Sequence, residues 1–285
     1  MKAALVLLCC GLVAGFQWVG GHATNSTEDL QQQEEDQREA RRLWEEAIAA
    51  KGGRERLCGV HNLVVFHGGG KRNISLYVFP NKSWQWSDDR PTPLGLSVEM
   101  HNLDRRLAYF VYSEDLEPPI NKGWGSNLAR GVPELRDAQL YYLLETAWVK
   151  PVPLRVATDR RGYQQTDIVE TLVNGSRVDF HLDQNSHLPL EVAFPSRDGV
   201  GTSYGRGTYY VTFSDYRDVS GIQMPHRVGF LIKNGLPTTF EINVDCDAQI
   251  FERPPNIADG PDAWRRSGQA VKKANESART REKKH

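Results

Sequence analysis

A chain of 285 residues with 35 Lys or Arg against 36 Asp or Glu has a formal net charge of −1, which leaves no basic field for nucleic acid. Its hydrophobic share of 39% is that of an ordinary globule with a core, and excludes a wholly disordered chain. Its four cysteines show neither a CxxC nor zinc-ligand spacing, which argues against redox and structural-zinc modules.

Lys2 precedes an apolar run, Ala3 to Gly15, and Gly21-His22-Ala23 places small residues at −3 and −1 of a signal-peptidase site. The run is shorter than the roughly 20 residues a membrane span needs. Cys9 follows Leu8 and Cys10 follows Cys9, so neither has the small neighbour of a lipoprotein signal. Residues 1–23 are therefore expected to be a cleaved signal peptide. The mature chain is expected to be periplasmic or secreted, with no transmembrane segment. Cleavage leaves Cys58 and Cys246, which in an oxidising compartment form either one disulfide or two separate thiols.

A helix follows the signal. Ser26 or Thr27 can cap it, acids crowd its first turns, and Leu43, Trp44, Ala47 and Ile48 make an apolar stripe before Lys51-Gly52-Gly53 stops it. Strands are predicted at 63–66, 74–79, 96–100 and 107–112. Pro133 is predicted to open a second, largely apolar helix containing Leu140 and Leu144 and running to Trp148. Strands resume at 152–157, 167–173, 178–182 and 188–194, with Asn174-Gly175 as a two-residue hairpin turn. From Tyr209 on, Tyr209/Val211/Phe213, Val228/Phe230/Ile232 and Phe240/Ile242/Val244 alternate with a period of two, and Ser220-Gly221 and Asn234-Gly235 supply turns. The order predicts an α+β, mainly β fold: a curved, unclosed antiparallel β-barrel with an N-terminal helix and an inserted apolar helix covering its concave face. Residues 24–260 form that domain. The remainder, 261–285, is basic, with eight Lys or Arg from Arg265 to Lys284 against Glu276 and Glu282, and is expected to be a disordered tail.

Two fragments imitate a serine hydrolase: His67-Gly68-Gly69-Gly70, and Gly201-Thr202-Ser203-Tyr204-Gly205 as G-x-S-x-G. The nucleophile must sit on a tight strand-to-helix turn. Ser203 instead stands between a turn-like segment and a strand, and only His226 and His285 follow it. The glycine runs read more simply as hairpin loops, and the hydrolase is a remote alternative. The eight histidines include no His-x-His or His-x-x-x-His pair, so no metal site and no cofactor is expected, although His67, His101, His181 and His187 could converge in space.

Leu76-Tyr77-Val78-Phe79-Pro80-Asn81-Lys82-Ser83-Trp84-Gln85-Trp86, followed by Asp104 to Tyr112, resembles the early strands of the LolA/LolB-like periplasmic lipoprotein carriers. Asp183 to Leu190 is similar to their Asp-x-x-Thr-Gly-Leu-Pro turn, and Asp215 to His226 with Phe251-Glu252-Arg253-Pro254 resembles uncharacterised secreted bacterial relatives. The resemblance spans about Glu39 to Pro255. It implies an unclosed barrel lidded by helices over an apolar cavity for acyl chains. Carriers hold the lid with an arginine before the Pro-Asn pair, where this chain has Phe79. The expected function is a non-enzymatic envelope protein binding a lipid, a lipoprotein acyl chain or another apolar ligand, with Leu76, Val78, Trp84, Trp86, Phe110, Leu140 and Leu144 as its lining. The alternative is a structural or interaction module with a filled core, presenting Trp124 and Trp148 to an envelope partner.

Overall fold

The alternation of apolar and polar residues produces one antiparallel sheet in two meanders. The computed structural model describes residues 27–70, 72–90, 95–113, 128–157, 166–195, 208–230 and 235–265. The first meander is β1 (Asn62–His67), β2 (Asn73–Val78), β3 (Lys82–Asp88), β4 (Leu96–Asn102) and β5 (Leu107–Ser113). The second is β6 (Val152–Ala157), β7 (Thr166–Val173), β8 (Ser176–Asp183), β9 (Pro189–Pro195), β10 (Thr208–Val219), β11 (Ile222–Phe230) and β12 (Leu236–Ile242). The spatial order of the twelve strands runs from β5 through β1 to β12 and on to β6, so the sheet does not close. The α+β, mainly β class is as expected. Strand β3, whose Ser and Gln residues dilute its apolar pattern, was not among the strands read from periodicity. The predicted signal peptide, most of the tail, Trp124 and the Gly201–Gly205 motif lie outside the described residues.

Two hairpin turns follow their chemistry. Asn174 and Gly175 (φ 49° and 77°) join β7 to β8, and Ser220 and Gly221 (φ 57° and 81°) join β10 to β11. Positive φ at both central residues matches the twist of the flanking strands.

The two meanders meet where β1 pairs with β12, Leu63 opposite Ile242 and Val65 opposite Phe240. Two asparagines clamp that seam. The Asn243 side chain accepts from the His61 amide at 2.8 Å and donates to the Gly59 carbonyl at 2.9 Å. The Asn62 side chain accepts from the Val244 amide at 2.9 Å and donates to its carbonyl at 3.0 Å.

One face of the sheet carries the helices α1 (Thr27–Lys51), α2 (Arg54–Cys58) and α3 (Leu128–Leu143). Helix α1 buries Ala40, Leu43, Trp44, Ala47 and Ile48 and lies along the edge strand β6, which covers the otherwise open end of the sheet. It stops at Gly52, whose φ of 123° leaves the helical region, and the position requires glycine because a Cβ there would come 2.3 Å from the Gly221 carbonyl oxygen. Helix α3 begins at Leu128, ahead of the expected Pro133, and ends at Leu143 rather than Trp148. Its end is set by Leu144, at φ 64°, and by Thr146, whose hydroxyl accepts from the amides of Trp148 and Val149 at 3.2 and 3.0 Å.

The other face of the first meander is covered by the chain beyond β12. Two short 3-10 turns, Ala248–Phe251 and Ile257–Asp259, bring Ile250, Phe251, Ile257 and Trp264 onto Trp84, Trp86, Val98 and Met100. Cys246 pairs with Arg265 in an isolated bridge, and the Arg265 guanidinium donates to Glu241 at 3.0 Å. The fold thus continues past the expected boundary at residue 260. Cys58 and Cys246 are not joined in a disulfide. Cys58 ends α2 on the helix side, while Cys246 packs into the cluster on the opposite face, and the sheet lies between them.

Trp264 is fully buried beneath this strap. Trp264→Ala is expected to cost roughly 3–5 kcal/mol, as aromatic truncations in a core do, read as a lowered urea midpoint. An unchanged midpoint would mean that the strap is not part of the cooperative fold. Lys51 gives a second expectation. It is 1% exposed, donates to the Gln223 carbonyl and lies 5.2 Å from the Tyr216 ring centre. Burial brings its ammonium from 10.5 down to about 7. The unfolded chain holds that proton up to pH 10.5 while the folded chain releases it near 7, so stability rises with pH across this window. The gain should be roughly 3 kcal/mol between pH 7 and 9.5, and it ends near pH 10, where tyrosines ionise in the unfolded chain but burial keeps Tyr216 and Tyr142 protonated. Chemical denaturation at several pH values should show this slope in the wild type and a flatter one in Lys51→Met.

Candidate functional site

The helix-bearing face changes chemistry halfway across. Under α1, the second meander presents Val169, Phe180, Val192, Phe194, Val211 and Phe213, all buried and apolar. The first meander presents a mixed surface on the same side. One row across it reads Val65, Ser75, Gln85, Glu99 and Phe110, and the next Leu63, Tyr77, Ser83, His101 and Ala108. Helix α3 touches β3 and β5 and so spans this surface. It buries Leu140 and Leu143 completely, and Leu144, just past its end, is completely buried as well.

Buried polar groups are stable here because they pair. Ser83 and His101 stand directly opposite one another, with Oγ and Nδ1 3.1 Å apart, and neither is more than 1% exposed. The other ring nitrogen of His101 lies 3.5 Å from the Glu99 carboxylate. One strand pair away, His67 Nε2 is 3.2 Å from Ser75 Oγ. Burial lowers the His67 imidazole from 6.5 to about 4, so it is neutral at ordinary pH.

The seven residues expected to line one cavity fall on both faces. Leu76, Trp84 and Trp86 belong to the cluster under the C-terminal strap, and Val78 packs against it. Leu140 and Leu144 are on the helix side with Phe110, which is half-buried and 6.0 Å from the Tyr112 ring. The pleat explains the division: Leu76, Trp84 and Trp86 alternate along β2 and β3 with Ser75, Tyr77, Ser83 and Gln85, and the polar set is the one that faces α3. Phe79, at the place of the carriers' arginine, is buried on the helix side, stacked on Tyr77 at 6.4 Å and 6.4 Å from the half-exposed Trp148.

The histidines do not converge. His67 and His101 bond serines, while His181 and His187 lie 3.7 Å from Glu191 and Glu46 respectively. No group of three metal-binding side chains occurs among the described residues. His67 to Gly70 forms the β1–β2 hairpin turn, not an oxyanion loop at a helix. A separate groove of about 450 Å³ runs between the first turns of α1 and the edge of the second meander, lined by Asp29, Gln32, Asp36, Leu154, Arg155 and Glu170. Its buried Glu170 is held by Arg155 at 2.7 Å and by Arg177. No helix among the described residues is long and apolar enough to cross a membrane.

No protein-family model matches the chain, and no similar curated protein was found. Among solved structures it is similar to a LolA superfamily protein from Nitrosomonas europaea, at 14% identity, covering 75% of this chain and 97% of that one with a TM-score of 0.39. It is also similar to a DUF1329 family protein from Desulfovibrio piger, at 11% identity, with the same coverages and a TM-score of 0.33.

If α3 closes the site by packing alone, Leu140→Ala should lower stability by roughly 2–5 kcal/mol, and Phe110→Ala, starting from a half-buried ring, by less than about 2 kcal/mol. Denaturation midpoints of the two variants measure this. Equal losses would mean that Phe110 is as much a part of the core as α3.

Proposed function

We infer that the protein is a non-enzymatic, periplasmic or secreted binding protein whose ligand is an amphiphile held between α3 and the first meander. An acyl chain would lie among Tyr77, Phe79, Leu140 and Leu144, and its polar head would reach Gln85 and Glu99. The observation that carries this reading is a polar set, buried at Ser75, Ser83 and His101 and part-exposed at Gln85 and Glu99, abutting an apolar cluster beneath one helix. Polar groups beneath a helix are tolerated only where each is paired, as Ser75 is with His67 and Ser83 with His101, and a face evolved only to fill a core has no need of such pairs. A site with one wet end and one apolar end does. The acyl cargo implied by the sequence resemblance is kept, while its apolar wall moves from Leu76, Trp84 and Trp86 to the residues facing α3.

The second reading, a structural module with a closed core, is favoured by the complete burial of Leu140, Leu143 and Leu144. The exposed side of Trp148 would then serve a partner in the envelope.

Native mass spectrometry of protein purified without detergent, together with thermal melting against a fatty acid and a lysophospholipid, separates the two. A ligand present at 100 times its Kd stabilises the folded state by roughly 2.7 kcal/mol. A carried lipid or a melting shift with either probe is expected. Empty protein whose melting is moved by neither would leave the closed module as the function.

A further inference from the structure

The Ser83–His101–Glu99 set has a use beyond satisfying buried groups, and it rests on the reading that α3 admits an acyl ligand. The Glu99 carboxylate 3.5 Å from Nε2 favours the tautomer with its proton on that nitrogen. Nδ1 is then an acceptor, and the Ser83 hydroxyl, 3.1 Å away, donates to it. A hydroxyl on a base that is itself oriented by a carboxylate is the arrangement of an activated nucleophile. Cross-strand pairing places Ser83 opposite His101, and residues two apart on β4 bring Glu99 to the same face, so the backbone fixes all three.

The geometry points to Ser83 as an acyl acceptor: an ester ligand held under α3 transfers its acyl group to Ser83 Oγ. In that step Oγ attacks the ester carbonyl carbon while its proton passes to His101 Nδ1. The carbon–oxygen bond to the leaving alkoxide then breaks, and the alkoxide takes the proton from His101. The products are the Ser83 ester and a free alcohol, with His101 neutral again. Strand β3 lies between β2 and β4, so the backbone amides around Ser83 are committed to the sheet and offer no paired donors to an oxyanion. Loss of one such donor slows acyl transfer by roughly 10²–10³. The transfer is therefore stoichiometric and slow rather than a turnover reaction, consistent with a binding protein. Glu99 acts as a positioning residue through the imidazole.

The full chain is incubated with p-nitrophenyl palmitate, and intact mass and peptide mapping are read alongside p-nitrophenol release. Reversible binding is measured separately with hexadecyl methyl ether, which cannot transfer. One palmitoyl group per chain on the Ser83 peptide is expected, with one equivalent of p-nitrophenol. Ser83→Ala should give none and Ser83→Cys should restore it. His101→Gln should slow acylation by roughly 10²–10⁴, and Glu99→Gln should move the pH of half-maximal rate downward, since the imidazole loses its stabilising carboxylate. Ether bound without an acyl group on Ser83, or acyl groups that persist in Ser83→Ala, overturns the acceptor while leaving the binding site standing. If neither ether nor ester binds, both fall.

Discussion

Everything in this fold depends on the pairing of β1 with β12. Each meander alone is a small open sheet with two edges, and the seam turns them into one surface of twelve strands. The pairing joins residues about 180 positions apart, so it carries a large loop-closure cost. Local interactions offset that cost. Asn62 and Asn243 bind one another's flanking backbone in a reciprocal lock, and Asn243 takes a left-handed conformation (φ 51°) that asparagine tolerates better than most residues. At β11–β12 the described register is only two residue pairs, Arg227 with Pro237 and Val228 with Leu236, so β12 is held chiefly by β1.

The seam also sets the division of labour between the faces. The first meander is buried on both faces and needs a cover on each: the helices, with α3 inserted between β5 and β6, lie on one side and the strap after β12 on the other. The strap protects Trp84 and Trp86, the largest apolar side chains of the first meander's outer side. That frees the inner side of the same strands to carry hydroxyls, an amide, a carboxylate and imidazoles. In the second meander the inner side is mainly apolar, because there α1 is held to the strands chiefly by packing. One sheet therefore offers a dry half and a polar half under its helices.

Much of the strand pattern was legible from alternation: the hairpins at Asn174-Gly175 and Ser220-Gly221, the stripe on α1 and the glycine stop at Gly52. What alternation cannot say is which way the apolar side of a strand points. Leu76, Trp84 and Trp86 read as the lining of a cavity beneath the helices, whose stripes have a visible period. The cover is instead two 3-10 turns and a tryptophan at Trp264, and such short irregular segments have no periodicity to read. The polar set facing α3, Ser75, Ser83, Gln85, Glu99 and His101, occupies alternate strand positions. A single sequence offers no reason to call such residues buried. Pro133 has the chemistry of a first turn but lies inside α3, and the helix ends through Leu144 and Thr146, whose roles depend on contacts made after folding.

The seam has a consequence for how the chain is made. Strand β1 is synthesised near the beginning and its partner β12 near the end, so through most of synthesis Leu63-Val64-Val65-Phe66 has an unpaired edge on one side. Its first meander likewise lacks the strap over Trp84 and Trp86 until residue 264 has emerged. A nascent or truncated chain therefore shows both an apolar sheet edge and an uncovered aromatic face, the two features that recruit chaperones and seed aggregation. The native contacts on both the sheet edge and the aromatic face therefore form last, once residue 264 has been made.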